Sequence, residues 1–178
     1  MRAASFAHRV ATRADLPALS RVMDAAIGVL QTPFLSEEQI AASRTFMGLD
    51  TALVDDGTYF IVEDGQEIAG CGGWSRRATL YGGDHTPGRN AALLDPATEA
   101  ARVRAMYTNP AYARCGVGRL ILSLCEAAAR AEGFARVELM GTMSGVPLYE
   151  ACGYVAIEQI VDDRGGAPVP LVRMGKPI

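Results

Sequence analysis

The chain has 178 residues, a formal net charge of −3, 49% hydrophobic and 21% charged residues, and a pI near 5.4. That is the balance of one soluble globular domain with a sizeable core. It argues against a nucleic-acid or anionic-membrane partner, and no run approaches the ~18 apolar residues of a membrane span.

The stretch MRAASFAHRVATRADLP carries charge and small residues but no apolar run of the signal-peptide type. Within it HRVAT (8–12) reads as a short strand. Thr12 and Asp15 then form a Thr-x-x-Asp capping box before a helix with Leu16, Leu19, Val22, Met23 and Ala26 on one face. A second box, Ser36 with Gln39, opens a short helix through IAASRTFMGL. TYFIVEDGQEIAGCGGW (58–74) reads as a β-hairpin turning at Asp64-Gly65. Residues 75–95 break the pattern, and a loop of that length is usually functional or disordered. Asp95-Pro96 is positioned to start a short helix through ATEAA.

RVRAMYT (102–108) reads as a strand, NPAYARC as a connection, and Gly118 to about Glu132 as a helix with Leu120, Ile121, Leu124, Cys125 and Ala128 on its apolar face. RVELMGT (136–142) is a strand, VPLYEAC (146–152) a short helix closed by Gly153, and YVAIEQIV (154–161) and VPLVRM (169–174) close the chain as a hairpin. The order predicts a mixed α/β domain over residues 8–177 with antiparallel and parallel pairing. Cys71, Cys115, Cys125 and Cys152 lie far apart without metal-ligand spacing. They read as free thiols of a reducing, cytoplasmic setting, with no metal expected.

The chemistry centres on ARCGVGRL, residues 113–120. Glycine is costly at a helix start, so Gly116 and Gly118 either turn the chain tightly or let an anion reach the unpaired amides of the first turn. Arg114 and Arg119 flank that position. No Walker loop occurs. The dinucleotide fingerprint fails at Ile121 and at the seven residues between Thr108 and Gly116, although Glu138 lies 20 residues after Gly118.

MYTNPAYARCGVGRLIL followed by RVELMGTMSGVPLYEACGY resembles the GNAT superfamily of acyl-CoA-dependent N-acetyltransferases. Both blocks stand in the order and spacing of that family. The resemblance implies a central mixed sheet of about six to seven strands, helices on both faces, and a splayed pair of parallel strands. It implies acetyl-CoA as co-substrate, a small-molecule or peptide amine as acceptor, and a homodimer as the family-level expectation. Carried over residue by residue, the coenzyme pyrophosphate meets Arg114, Cys115, Gly116, Val117, Gly118 and Arg119. The pantetheine arm pairs with Met106, Tyr107 and Thr108, Ser144 joins the coenzyme-binding residues, and Tyr149 of the Leu-Tyr-Glu block protonates the departing thiolate.

Three positions depart from the family pattern. Ala113 stands where arginine or glutamine is usual, Thr142 and Ser144 stand near the place of an asparagine, and residues 102–108 contain no carboxylate. The base is therefore unassigned, with Glu63, Asp84 and His85 as candidates beside their ordinary reading as solvated turn residues. Trp74 and Tyr81 flank the long loop as candidate acceptor-pocket residues, Trp74 equally as core. A non-catalytic acyl-CoA-binding module on the same fold remains the alternative to an enzyme.

Overall fold

The computed structural model describes residues 5–178. Strands β1 (Ala7–Val10), β2 (Tyr59–Asp64), β3 (Glu67–Ser75), β4 (Ala101–Thr108), β5 (Arg136–Thr142), β6 (Val155–Asp162) and β7 (Val169–Pro177) form one sheet in the order β1-β2-β3-β4-β5-β7-β6. Every neighbouring pair is antiparallel except β4 and β5. Those two run parallel and pair only at Ala101 with Val137 and Arg102 with Glu138. Beyond that point they part, which is the expected splay.

Helices cover both faces. On one, α4 (Val117–Ala131) buries Val117, Ile121, Leu122, Cys125 and Ala129 with Trp74, Val103, Val137 and Leu139. These α4 positions recur at helical spacing, so a single stripe faces the sheet. On the other face α1 (Leu16–Leu30) buries Leu19, Met23, Ala26 and Ile27, joined by Ile40 and Ala42 of α2 (Glu37–Ser43). Both capping boxes form. The Asp15 carboxylate accepts from the Thr12 N–H at 2.7 Å, and Ser36 and Gln39 exchange bonds at 2.9 and 3.2 Å.

Several boundaries differ from the sequence reading. The β2–β3 turn is Gly65-Gln66, one residue on from Asp64-Gly65, with Gly65 at φ 61°. A short helix α3 (Thr51–Asp55) was not foreseen because five residues carry too little periodicity to read. The stretch after Asp95-Pro96 is a single turn, not a helix. The Asp95 carbonyl accepts from Glu99 and Thr98, and the Glu99 carboxylate reaches back to the Asp95 N–H at 2.7 Å. A 3-10 turn at Pro110–Tyr112, capped by Asn109, precedes α4, which starts at Val117.

The loop after β3 is ordered by docking. It folds back on itself through Ala78 to Ala92 and Thr79 to Asn90. It is pinned to the segment between α2 and α3 by Asp84 N–H to the Leu49 carbonyl at 2.9 Å and Thr86 Oγ1 to the Thr45 carbonyl at 2.8 Å. Such bonds satisfy a backbone that joins neither helix nor sheet. Edge strand β6 leaves Val155, Ile157 and Val161 exposed. Among the described residues no helix is long and apolar enough to cross a membrane.

Candidate active site

The split between β4 and β5 is deepened by a bulge. Cys71 faces Tyr107 while Gly73 faces Arg104, so β4 carries an extra residue at this point. Ala105 takes φ 52°, an uncommon value for a residue with a Cβ. The Tyr59 hydroxyl holds it by donating to the Ala105 carbonyl at 2.7 Å. The bulge puts Met106 on the α4 side of the sheet and Tyr107 on the α1 side. There the Tyr107 hydroxyl accepts from the Gly48 N–H at 2.8 Å.

A cleft of about 540 Å³ opens at the parted strand ends. Met106, Tyr107, Thr108, Arg114, Gly116, Val117, Gly118, Arg119, Ser144 and Tyr149 all line it, so ten of the eleven expected site residues are brought together. Cys115 is the exception. It is exposed, lies outside the lining, and its N–H already reaches the Tyr112 carbonyl at 3.3 Å. Residue type gives no sign of that, because a turn decides which amides face out.

The two glycines do different work. Gly116 caps α4 at φ 87°, and a Cβ there would meet nothing within 4 Å. A Cβ on Gly118 would lie 2.5 Å from Leu148 Cδ2, so that glycine lets α5 (Val146–Ala151) close on α4. The first intrahelical bond runs from the Leu120 N–H to the Gly116 carbonyl. The N–H groups of Val117, Gly118 and Arg119 are thus the open donors of a 15-residue helix. Arg114 stands beside them at φ 61°. Among the ion pairs of the described residues neither Arg114 nor Arg119 takes part.

Tyr149 is 9% exposed, and among the described residues no hydrogen bond engages its hydroxyl. Burial pushes that hydroxyl up to about 12, with Cys125 and Cys152 adding to the effect. It therefore stays protonated at neutral pH. Gly145 makes room for the ring, since a Cβ there would sit 2.7 Å from Tyr149 Cε2. Thr142 and Ser144, beside the ring, bond to each other at 3.1 Å.

A second, narrower pocket of about 80 Å³ lies deeper in the split, between Val103–Tyr107 and Leu139–Met140. It shares Met47, Met106, Tyr107, Thr142 and Tyr149 with the larger cleft. Tyr81 lines it, its hydroxyl donating to Asp162 at 2.9 Å, whereas Trp74 belongs to the core against Phe134. The candidate bases lie elsewhere. Glu63 pairs with Arg9 at 3.0 Å, Asp84 accepts from the Thr51 N–H at 2.9 Å, and His85 Nε2 meets the Arg44 carbonyl at 2.6 Å. Glu138, the acid at dinucleotide spacing, is engaged by Arg102 and Arg173. Among the described residues no carboxylate or imidazole lines either cavity.

Two residues of the cavities carry no sequence signal. Gln31, 2% exposed, lines the larger cleft. It donates to Ser43 and the Ile27 carbonyl and leaves its Oε1 unpartnered. Arg104 lines the deeper pocket, paired with the buried Asp50 and donating to the Gly82 carbonyl at 2.8 Å.

The acetyltransferase (GNAT) family profile matches residues 23–154. No curated protein matches by sequence. Among solved structures, a GCN5-related N-acetyltransferase from Rhodopseudomonas palustris superposes with a TM-score of 0.71 at 19% identity, covering 97% of this chain and 95% of that one. YncA from Salmonella typhimurium, solved with acetyl-CoA, gives 0.63 at 16% identity over 97% and 94%. The PaiA N-acetyltransferase from Thermoplasma acidophilum, solved with coenzyme A, gives 0.61 at 15% over 98% and 99%. At such identities the superpositions establish the fold, and the profile, covering most of the chain, establishes the kinship: the chain belongs to the acetyltransferase (GNAT) family.

Proposed function

We propose that the protein transfers the acetyl group of acetyl-CoA to a primary amine of a small molecule or peptide, by direct attack in a ternary complex in the cytoplasm. The observation that carries this reading is the Tyr149 hydroxyl, unpartnered and protonated, on the wall shared by the two cavities. The larger cleft suits the coenzyme and the smaller one the acceptor.

The residues present fit the coenzyme. The open amides of Val117, Gly118 and Arg119 and the side chains of Arg114 and Arg119 would hold its pyrophosphate. Gly116, with open space where a Cβ would stand, admits it close to the backbone, and Cys115 serves only as a link in the turn. Met106, Tyr107 and Thr108 offer main-chain groups on the edge of β4 that β5 has left. Ser144 adds a polar contact at the rim.

The co-substrate supplies an already activated thioester carbonyl, so the protein's part is to place the amine in line and provide one proton. The attacking nitrogen sheds its proton to water, and Tyr149 donates a proton to the departing sulfur and is reloaded from that water. Its raised affinity for the proton keeps the donor loaded across the neutral range.

A non-catalytic acyl-CoA-binding module is the second reading, favoured by the lack of a carboxylate or imidazole in either lining. Thiol release from acetyl-CoA against a broad amine panel separates the two. The enzyme reading expects release with some amine, and expects Tyr149→Phe to lower kcat on the order of 100-fold with KM for acetyl-CoA within about threefold of wild type. Saturable coenzyme binding with no release from any amine would leave the binding module standing.

A further inference from the structure

The deeper pocket has an unexpected charge pattern for a site that takes an amine. Its wall is apolar through Phe46, Leu80, Leu139, Met140 and Leu171, and its one charged side chain is a cation, Arg104, whose side chain is 3% exposed. An ammonium ion entering such a pocket finds no counter-charge, and desolvating it there is costly.

The guanidinium is only half used. Arg104 Nη2 serves both Asp50 Oδ2 and the Gly82 carbonyl. Nε and Nη1 have no protein acceptor among the described residues, yet they are not sealed from the cavity. Asp50 does not belong to Arg104 alone. Its other oxygen takes Arg89 at 2.8 Å, and Asp84 meets Arg89 only at 3.4 Å from a side chain that is 39% exposed. Two cations thus share one buried carboxylate, and the Arg104 end of the cluster is left electropositive toward the pocket. Nε–H and Nη1–H lie on opposite edges of the guanidinium, and each can give a carboxylate oxygen one charge-assisted hydrogen bond.

We propose that the acceptor is an amino acid or similar amino carboxylate, whose carboxylate is held by Arg104 while its amine faces Tyr149. This inference rests on the acetyl-transfer reading above and narrows its acceptor. Arg104 is on this account a specificity-determining residue. The apolar wall favours an apolar side chain beside the amino-carboxylate head.

The test is steady-state acetyl transfer with matched acceptors: L-alanine, L-leucine and L-phenylalanine against ethylamine, isoamylamine and phenethylamine, and against the three amino-acid amides. The amides keep the shape, lose the negative charge and hold more of their amine neutral, so basicity alone would favour them. The expected result is a kcat/KM at least 100-fold higher for the amino acids than for both control sets. In Arg104→Met combined with Asp50→Asn, which removes both charges so that neither is left buried alone, KM for the amino acids should rise at least tenfold. KM for acetyl-CoA should stay within about twofold, and Arg104→Lys should restore part of the preference. Turnover of plain amines or amides equal to or above that of the amino acids overturns the inference and leaves acetyl transfer standing. An unchanged KM for the amino acids in the double variant, with the fold intact by circular dichroism, also overturns it. Transfer to no acceptor of any kind overturns the acetyl-transfer reading and this inference with it.

Discussion

Gly116 and Gly118 stand two residues apart in the sequence and answer to different constraints. Alanine at Gly116 meets no neighbour but must hold φ 87°, which costs on the order of 1–2 kcal/mol. Alanine at Gly118 drives a methyl into Leu148 Cδ2, an overpacking of about 1–3 kcal/mol that is relieved by turning Leu148 aside or by moving α5, which carries Tyr149. Thermal unfolding should therefore show both variants several degrees less stable than wild type. Kinetics should part them: Gly118→Ala loses kcat through Tyr149, whereas Gly116→Ala keeps kcat within about threefold and raises KM for acetyl-CoA. A Gly118→Ala enzyme with wild-type kcat would show that the α4–α5 contact does not position the tyrosine. The glycine pair stands out in the sequence as a costly helix start, but its division of labour does not. Gly118 meets a residue 30 positions away in the chain, and local pattern does not carry such distances.

At the scale of elements, β4 shapes the split by its bulge. Ala105 holds a left-handed conformation because the Tyr59 hydroxyl bonds its carbonyl and β3 pairs on either side. A β-branched residue cannot adopt that conformation without strain of about 1–3 kcal/mol. Ala105→Val should thus either regularise the strand, turning Met106 and Tyr107 to the wrong faces and abolishing acetyl transfer, or keep the bulge and lower the melting temperature by several degrees. Ala105→Gly should retain the fold and most of the activity, and comparing the two by activity and thermal melt isolates the conformation from the side chain. The strands and α1 and α4 were readable because periods of 2 and 3.6 persist over enough residues to stand out. The α3 helix, with five residues, and the bulge, with one, fall below that length. The long loop was recognised as unusual. Its role in building the pocket through Leu80, Tyr81 and Gly82 depends on docking against residues 45–49, which no local signal announces.

Across the whole molecule, the paired carboxylates of the described residues stand outside the linings of the two cavities. Asp50, Glu63, Glu138 and Asp162 all face arginines. Burial works to raise the Asp162 carboxyl, but hydrogen bonds from Arg164 and Tyr81 hold it below the usual carboxylate range, so it is a poor base behind Tyr81. With no side-chain base lining the split among the described residues, the amine must lose its proton to water before it attacks. Log kcat/KM should then climb with pH and level off at the acceptor's own pKa, moving as the acceptor is changed. No descending limb is expected below about pH 10, because burial holds the Tyr149 hydroxyl up at about 12, where it remains a proton donor. An ascending break that stays fixed near pH 6–7 for every amine would reveal an enzyme base instead. The Arg104–Asp50 pair, 54 residues apart in the chain, is the part of this charge plan that sequence reasoning missed. In the sequence Arg104 is one residue of a strand without a carboxylate, and nothing local pairs it with Asp50.

The sheet's seam has a mechanical consequence. Seven strands joined at every border but one make two plates, β1 to β4 and β5 to β7, that share a hinge of just two residue pairs. The molecule is thus built one rung set short of a closed structure, and a guest lying in the gap would act as its keystone. Occupancy is then not an addition to a finished scaffold. It completes the architecture, and both plates should stiffen together when it arrives.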